Sequence, residues 1–462
     1  MRTLKALAAL AIVLTSFVGV PGAEAASTVR LPAPVRIKLP NGITLLVVNR
    51  PELPMVAIDA VVRAGSVNDP AGKAGLASLT ADLLKRGTTT RSAPQIAETI
   101  DAVGGTLSTG AGADTASAGV AVLTKDVDLG LSLMADVLQH PAFKPEELKK
   151  LKEEEVAGLK SSLDDANAVV KRAARQAILA GNPYGRPTTL SSVGGIQVQD
   201  VRAFYDGYYK PNNTLVAVVG DITPEVARAK LTKAFGGWKA GPVKLAPVPA
   251  LKPITGRKVV LVDMDVSQSF IMLGHPGVKR NNPDYFPLLV LNFILGGDFT
   301  SRLNMSIRDK QGLAYGAGSA FTMYRDAGYF TAHLNTRTAT TAKALDSLLV
   351  EIRGIQGGQV TAEELGTAKA YLTGSFPLRF ETNGQLASEI VNMEIHGLPA
   401  DYLSTYRDRV SAVTPADVQR VAKQYLHPGD YDLVVVTKAK EVRSALGPFG
   451  TVEVWPKERL IN

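Results

Sequence analysis

Five histidines, His140, His275, His333, His396 and His427, are the side chains in this 462-residue sequence best suited to hold a metal or move a proton near neutral pH. No two stand four residues apart, the spacing that sets two imidazoles on one helix face around a shared ion. They read as separate surface or loop residues. Cysteine is absent, which removes thiolate metal sites and cysteine nucleophiles. No Gly-x-Ser-x-Gly elbow supports a serine triad. Gly296-Gly297 lacks the Gly-Lys-Ser/Thr continuation of a phosphate loop and reads as a helix end with a tight turn.

The elements around these residues repeat. Leu45 to Val48 and Val56 to Ala64 alternate like strands, Leu76 to Lys85 has helical spacing, Ser117 to Leu123 alternates again and Val127 to Gln139 is helical. Further on, Lys258 to Val262, Phe270 to Gly274 and Gly328 to Asn335 read as strands, and Pro287 to Leu295 and Ala342 to Ile355 as helices, in the same order. The helix-to-strand run from Val198 into Asn213–Gly220 is echoed by Thr414 running into Tyr431–Val436. A period of about two hundred residues fits a duplicated domain rather than a solenoid. The pattern predicts an α+β fold of two homologous domains, residues 26–240 and 257–462, each a mostly antiparallel sheet with helices on one face. The proline-rich stretch at 241–256 reads as the linker between them.

Residues 1–25 read as a cleavable signal: Arg2 and Lys5, an apolar run from Leu7 to Val20, and the small-residue site Ala23-Glu24-Ala25. The run is too short for a membrane-spanning helix, so no stable membrane anchor is expected. Export to the periplasm follows, although secretion from a Gram-positive cell would look the same. The net charge of +8 is dispersed among acids and predicts no nucleic-acid partner. The run Lys149 to Glu155 carries both signs and reads as a solvated helix face.

Several short pieces in order carry a resemblance. They are Pro40-Asn41-Gly42, Arg63-Ala64-Gly65-Ser66, Tyr208-Tyr209-Lys210-Pro211-Asn212-Asn213, Gly236-Gly237-Trp238, Ile294 to Leu303 with Ile307 to Tyr315, and Thr373 to Leu378. Together they resemble the pitrilysin and mitochondrial-processing-peptidase family of insulinase-like zinc metallopeptidases. The resemblance implies a clam-shell of two domains and places Gly75 to Thr88 where active members carry H-x-x-E-H. Ser78, Ala81 and Asp82 occupy the three motif positions, so no metal or cofactor is expected in this chain. Glu153, Glu154 and Glu155 stand near the place of the distal glutamate ligand. By the same resemblance Arg308 and Tyr315 contact substrate and transition state, and Gly104-Gly105 precedes a sheet edge that is either peptide-receiving or structural. The implied partner is a homologous zinc-binding subunit, with zinc in the partner and peptides as substrates. The alternative is a non-enzymatic peptide-holding or assembly protein of the same fold.

Overall fold

The computed structural model describes residues 33–462, and the signal segment lies outside the described residues. The first sheet is built from β1 (Val35–Lys38), β2 (Thr44–Asn49), β3 (Met55–Val62), β4 (Thr106–Ala111), β5 (Ala116–Leu123) and β6 (Thr214–Gly220). Their order is β1-β2-β6-β3-β5-β4, antiparallel throughout except for the β2–β6 pair. The second sheet uses β7 (Arg257–Asp263), β8 (Gln268–Pro276), β9 (Ala314–Met323), β10 (Gly328–Arg337), β11 (Tyr431–Thr437) and β12 (Thr451–Pro456) in the order β12-β7-β11-β8-β10-β9. Five strands correspond one to one, and β7–β11 repeats the parallel pair. Only the outer strand differs: β1 precedes its sheet in the chain, whereas β12 follows its sheet and lies parallel to β7.

The helices repeat as well. In the first half they are α1 (Leu76–Leu83), α2 (Ala93–Asp101), α3 (Val127–Gln139), α4 (Pro145–Ser162), α5 (Ala166–Ile178), α6 (Leu190–Gly195), α7 (Val198–Tyr208) and α8 (Pro224–Phe235). In the second they are α9 (Tyr285–Asn292), α10 (Thr341–Gly357), α11 (Ala362–Gly374), α12 (Asn383–His396), α13 (Tyr402–Ala412), α14 (Pro415–Tyr425) and the short α15 (Ala439–Val442). Local sequence sets their ends. α4 opens with Pro145 in its first turn and Glu146 and Glu147 at the positive end of its dipole, while Thr361/Glu364 and Thr414/Asp417 form capping boxes on α11 and α14.

The central strands β6 and β11, rich in valine, are buried along their whole length and therefore need cover on both faces. One face takes helices of the same half: α3 packs on β5, and α10 on β10. The other is covered by exchange. α5, from the first half, lies on β8 and β11, while α12, from the second, lies on β3 and β6. Val170, Ala173, Ala174 and Ile178 of α5 share one apolar core with Val260, Met272, Val434 and Val436. The approach is close enough that a Cβ at Gly274 would collide with Ile178 and with the Phe330 carbonyl, so β8 needs glycine there. Residues 236–256 cross between the halves without helix or strand. Among the described residues no helix is long and apolar enough to cross a membrane.

Candidate functional site

α1 begins at Gly75, whose φ of +101° is left-handed, and its first turn is held from outside. The buried Asp69 accepts hydrogen bonds from Gly75 N and Ala77 N, both at 2.8 Å. Burial pushes the Asp69 carboxyl up to about 6 against the pull of these bonds and of Arg186. Ser78 faces a cavity, Ala81 is buried among apolar neighbours, and Asp82 is half-buried. Burial also raises the Asp82 pKa, Lys85 and Arg86 oppose the shift, and Glu154 across on α4 adds to it. Arg86 forks onto Glu154 at 2.9 and 3.3 Å. This donor set does not fit zinc. A serine hydroxyl is a poor ligand, alanine offers no atom, Asp82 is a single carboxylate, and Glu154 beside it is already paired with a guanidinium. Among the described residues no group of three or more His, Asp or Glu side chains is arranged to hold a metal.

The other sequence-marked pair lies in the second half. After α9 the chain makes a wide π-helical turn at Phe293–Gly297 and a second at Asn304–Lys310, where the sequence pattern alone predicts one continuous α-helix to Leu295. Gly296-Gly297 closes the first turn, as its spacing predicts. Arg308 sits in the last turn of the second, and Gly312, at φ +60°, reverses the chain so that Tyr315 enters β9. Hydrogen bonds from Gly312 N to Arg308 O (3.1 Å) and from Leu313 N to Ile307 O (2.9 Å) close this reversal. Asn304 fixes it to its surroundings, donating to Asp298 O at 3.0 Å and accepting from Ala317 N at 3.1 Å. Arg302 anchors the segment to α11 through a two-point pair with Glu364 at 2.6 and 2.9 Å.

Arg308 and Tyr315 therefore stand at the two ends of one braced turn. Tyr315 is 89% exposed, and no hydrogen bond restrains its hydroxyl among the described residues. The Arg308 guanidinium lies 5.4 Å from the ring of Phe299, itself 71% exposed, and 3.8 Å from the Asp309 carboxylate. Neither lines the cavity that Ser78 faces. Both belong to the side of the second sheet whose outer strand, β9, has no further strand beside it. Phe299 has no sequence periodicity to mark it; its one signal is its place between the glycine pair and Arg308.

The histidines are less scattered than their spacing suggests. His275 is buried in β8 rather than on the surface, stacked on Phe330 with ring centroids 5.1 Å apart, and it meets His427 at 4.8 Å because β8 and the turn after α14 converge. Its Nδ1 donates to Pro276 O at 2.8 Å and its Nε2 accepts from His427 N at 3.2 Å. Burial holds its pKa down to about 4. His396 is lowered to about 4 by burial as well. His333 is exposed in β10 where it lines the cavity, and desolvation by the cavity wall and then Lys171 lower its pKa. His140 and His427 are exposed.

Residues 44–191 match the insulinase family (peptidase family M16), and residues 195–372 match the family's description as peptidase M16 inactive domain. The chain belongs to peptidase family M16. An uncharacterised zinc protease of Streptomyces coelicolor is 27% identical over 400 residues, covering 85% of this chain and 87% of its own. A non-peptidase homolog of Helicobacter pylori is 24% identical over 392 residues, 84% and 90% of the two chains. Among solved structures, a peptidase M16 inactive domain from Pseudomonas fluorescens superposes with a TM-score of 0.82 at 25% identity over 87% of this chain and 98% of its own. The periplasmic protease PqqL from Escherichia coli has the same fold, with a TM-score of 0.74 at 17% identity over 89% of this chain but 48% of its own. Within the family this chain is a member without the zinc motif.

Proposed function

We propose that this chain is the zinc-free subunit of a two-subunit peptidase of the periplasm, contributing Arg308 and Tyr315 to peptide hydrolysis at a partner's zinc site. The observation that carries the reading is the exposure of Tyr315 beside a half-open Arg308 on a braced turn, while the chain's own motif helix lacks ligands. An unrestrained phenol and a guanidinium with spare N–H groups suit a substrate presented from outside. Coverage of only 48% of the PqqL chain supports the reading too, since a fused pair of such units would have that length. Any zinc chemistry would reside in the partner.

The test is turnover of the assembled pair with Arg308→Ala and with Tyr315→Phe in this chain. Loss of one donor to a developing oxyanion should lower kcat about 10²-fold while assembly and the partner's zinc persist. The exposed Arg337→Ala is the control. A change confined to KM would assign the pair to peptide holding, and unchanged turnover would sink the reading. Metal analysis of the purified chain should find no stoichiometric zinc. A peptide-holding or assembly role without catalysis is the second reading, favoured by the description of the Helicobacter pylori relative as a non-peptidase homolog.

A further inference from the structure

A cavity of about 750 Å³ opens between the two halves, roofed by α5, with the start of α1 on one side and the second sheet on the other. Its volume is that of a small-ligand pocket. Four cations line it: Lys171, Arg172, Arg175 and Arg186.

How these cations are held decides what they can do. Arg172 donates through Nε to Leu460 O at 2.8 Å and also to Thr188 O. Arg175 donates to Tyr184 O at 2.8 Å, and Arg186 to Asp69 O. Every acceptor of these bonds is a neutral backbone carbonyl, and acids act on two of the guanidinium groups only at longer range, Glu155 on Arg172 and Asp69 on Arg186. Each guanidinium has five N–H groups and uses only one or two in these bonds. Lys171 has no hydrogen-bond or ion-pair partner among the described residues, and none of the three arginines makes an ion pair with an acid among them. Among the described residues the one carboxylate on the cavity wall is Asp69, which is bonded to the backbone of α1 and attracted by Arg186. Lys171 and Arg175 make no ion pair among the described residues, and like charges set side by side without a counter-charge are stabilised by an anion that joins them.

The rest of the wall is mixed. Met272, Ala320 and Tyr329 offer an apolar surface, and Ser78 stands where active relatives would hold a metal ligand. We propose that this cavity is a binding site for a carboxylate-bearing ligand, either the C-terminal end of a peptide or a small free acid, gripped by Lys171 and Arg175 with Arg172 and Arg186 completing the positive wall. It goes beyond the role of Arg308 and Tyr315, which do not line the cavity, and needs no partner subunit.

The experiment uses the isolated mature chain at low ionic strength, where screening is weakest. A dansyl-labelled hexa-alanine peptide with a free C-terminal carboxylate is titrated by fluorescence anisotropy against the same peptide ending in an amide, with succinate as competitor. The acid should bind at least about tenfold more tightly than the amide, because charge-assisted bonds to the carboxylate are lost in the amide. Lys171→Glu changes an exposed, unbonded side chain, so the fold should melt at the same temperature while acid binding falls by about tenfold or more. Arg175→Gln should weaken it in the same direction. Displacement by succinate would support a site reading the carboxylate alone, and resistance to succinate one reading a peptide end. Equal binding of acid and amide, or undiminished binding by Lys171→Glu, overturns the proposal. Because no turnover or partner enters, failure here and failure of the split-site reading are separate results.

Discussion

The helix that follows β3 and the helix that follows β8 hold equivalent positions in a duplicated frame, yet they have diverged in opposite ways. α1 is short and packed, with Ser78, Ala81 and Asp82 facing a cavity, apolar neighbours and an arginine-paired glutamate respectively. α9 instead loosens into two π-helical turns that carry the chain out to Arg308 and an exposed Tyr315. One repeat keeps the packing and lacks the zinc-motif residues. The other gives up helical regularity and presents donors outward. A duplicated frame tolerates this because the sheets, and not these helices, carry most of the long-range pairing.

The comparison also shows what keeps the halves together. α5 and α12 hold equivalent places, and each serves the opposite sheet. If the exchange is symmetric in energy, Ile178→Ala on α5 and Ile390→Ala on α12 should each cost about 2–5 kcal/mol, the range for truncating a buried core isoleucine. Denaturant titration would measure the loss. Amide exchange would locate it, with protection falling first in β11 for Ile178→Ala and first in β6 for Ile390→Ala. Loss of protection mainly in the half that bears the substitution would break the idea that exchange couples them.

A smaller asymmetry is electrostatic. His275 has no counterpart in β3, where the core is apolar apart from Asp59. Its Nε2 accepts a backbone N–H, so protonation would turn that bond into a clash of two donors. The folded pKa, near 4, lies below the ordinary 6.5, so between these values the unfolded chain binds the extra proton. The contribution is complete above pH 6.5 and is lost as pH falls toward 4, amounting to about 3 kcal/mol at most. Unfolding free energies measured from pH 7 to pH 4 should therefore fall less steeply for His275→Gln than for the parent. Equal slopes would place the acid sensitivity elsewhere, and His396, shifted in the same direction, is the first place to look.

Much of this fold was readable because strands such as Leu215–Val219 and Leu433–Val436 are apolar on both faces and recur at one long period, which marks central strands of a repeated sheet. Gly312 announced the reversal between Arg308 and Tyr315 because little else turns a helix end through a left-handed residue so easily. The exchange of α5 and α12 was not readable, since an amphipathic face records that a helix is covered but not by which sheet. For the same reason Lys171, Arg172 and Arg175 look like an ordinary solvated charge cluster until the fold sets them on a cavity wall facing the second sheet. His275 is placed at the surface or in a loop by sequence alone because nothing local marks its partner, which is 152 residues away. The two π-helical turns were missed because their composition is that of a plain helix, and Phe299 because nothing periodic surrounds it.

The smallest expected effect concerns a polar joint that links the halves beside the cavity, built around Tyr184. Tyr184, from the first half, stacks on Tyr324 of the β9–β10 hairpin with ring centroids 4.4 Å apart and planes 3° from parallel. Its hydroxyl donates to Asp114 Oδ1 and accepts from Asp326 N at 3.3 Å. Asp114 accepts from Arg325 N at 3.1 Å and lies 3.9 Å from the Arg325 guanidinium. Tyr184→Phe keeps the stack and deletes only the hydroxyl, leaving Asp114 its contacts with Arg325. The cost should be about 1 kcal/mol, the usual net value of one hydrogen bond. Asp114→Ala in the same background separates joint from packing: if the two residues act through their shared bond, the double variant should be destabilised by less than the sum of the single ones. Strict additivity would show that stacking, not the buried acid, joins the hairpin to the first half, and would leave α5 and α12 as the main ties between the two sheets.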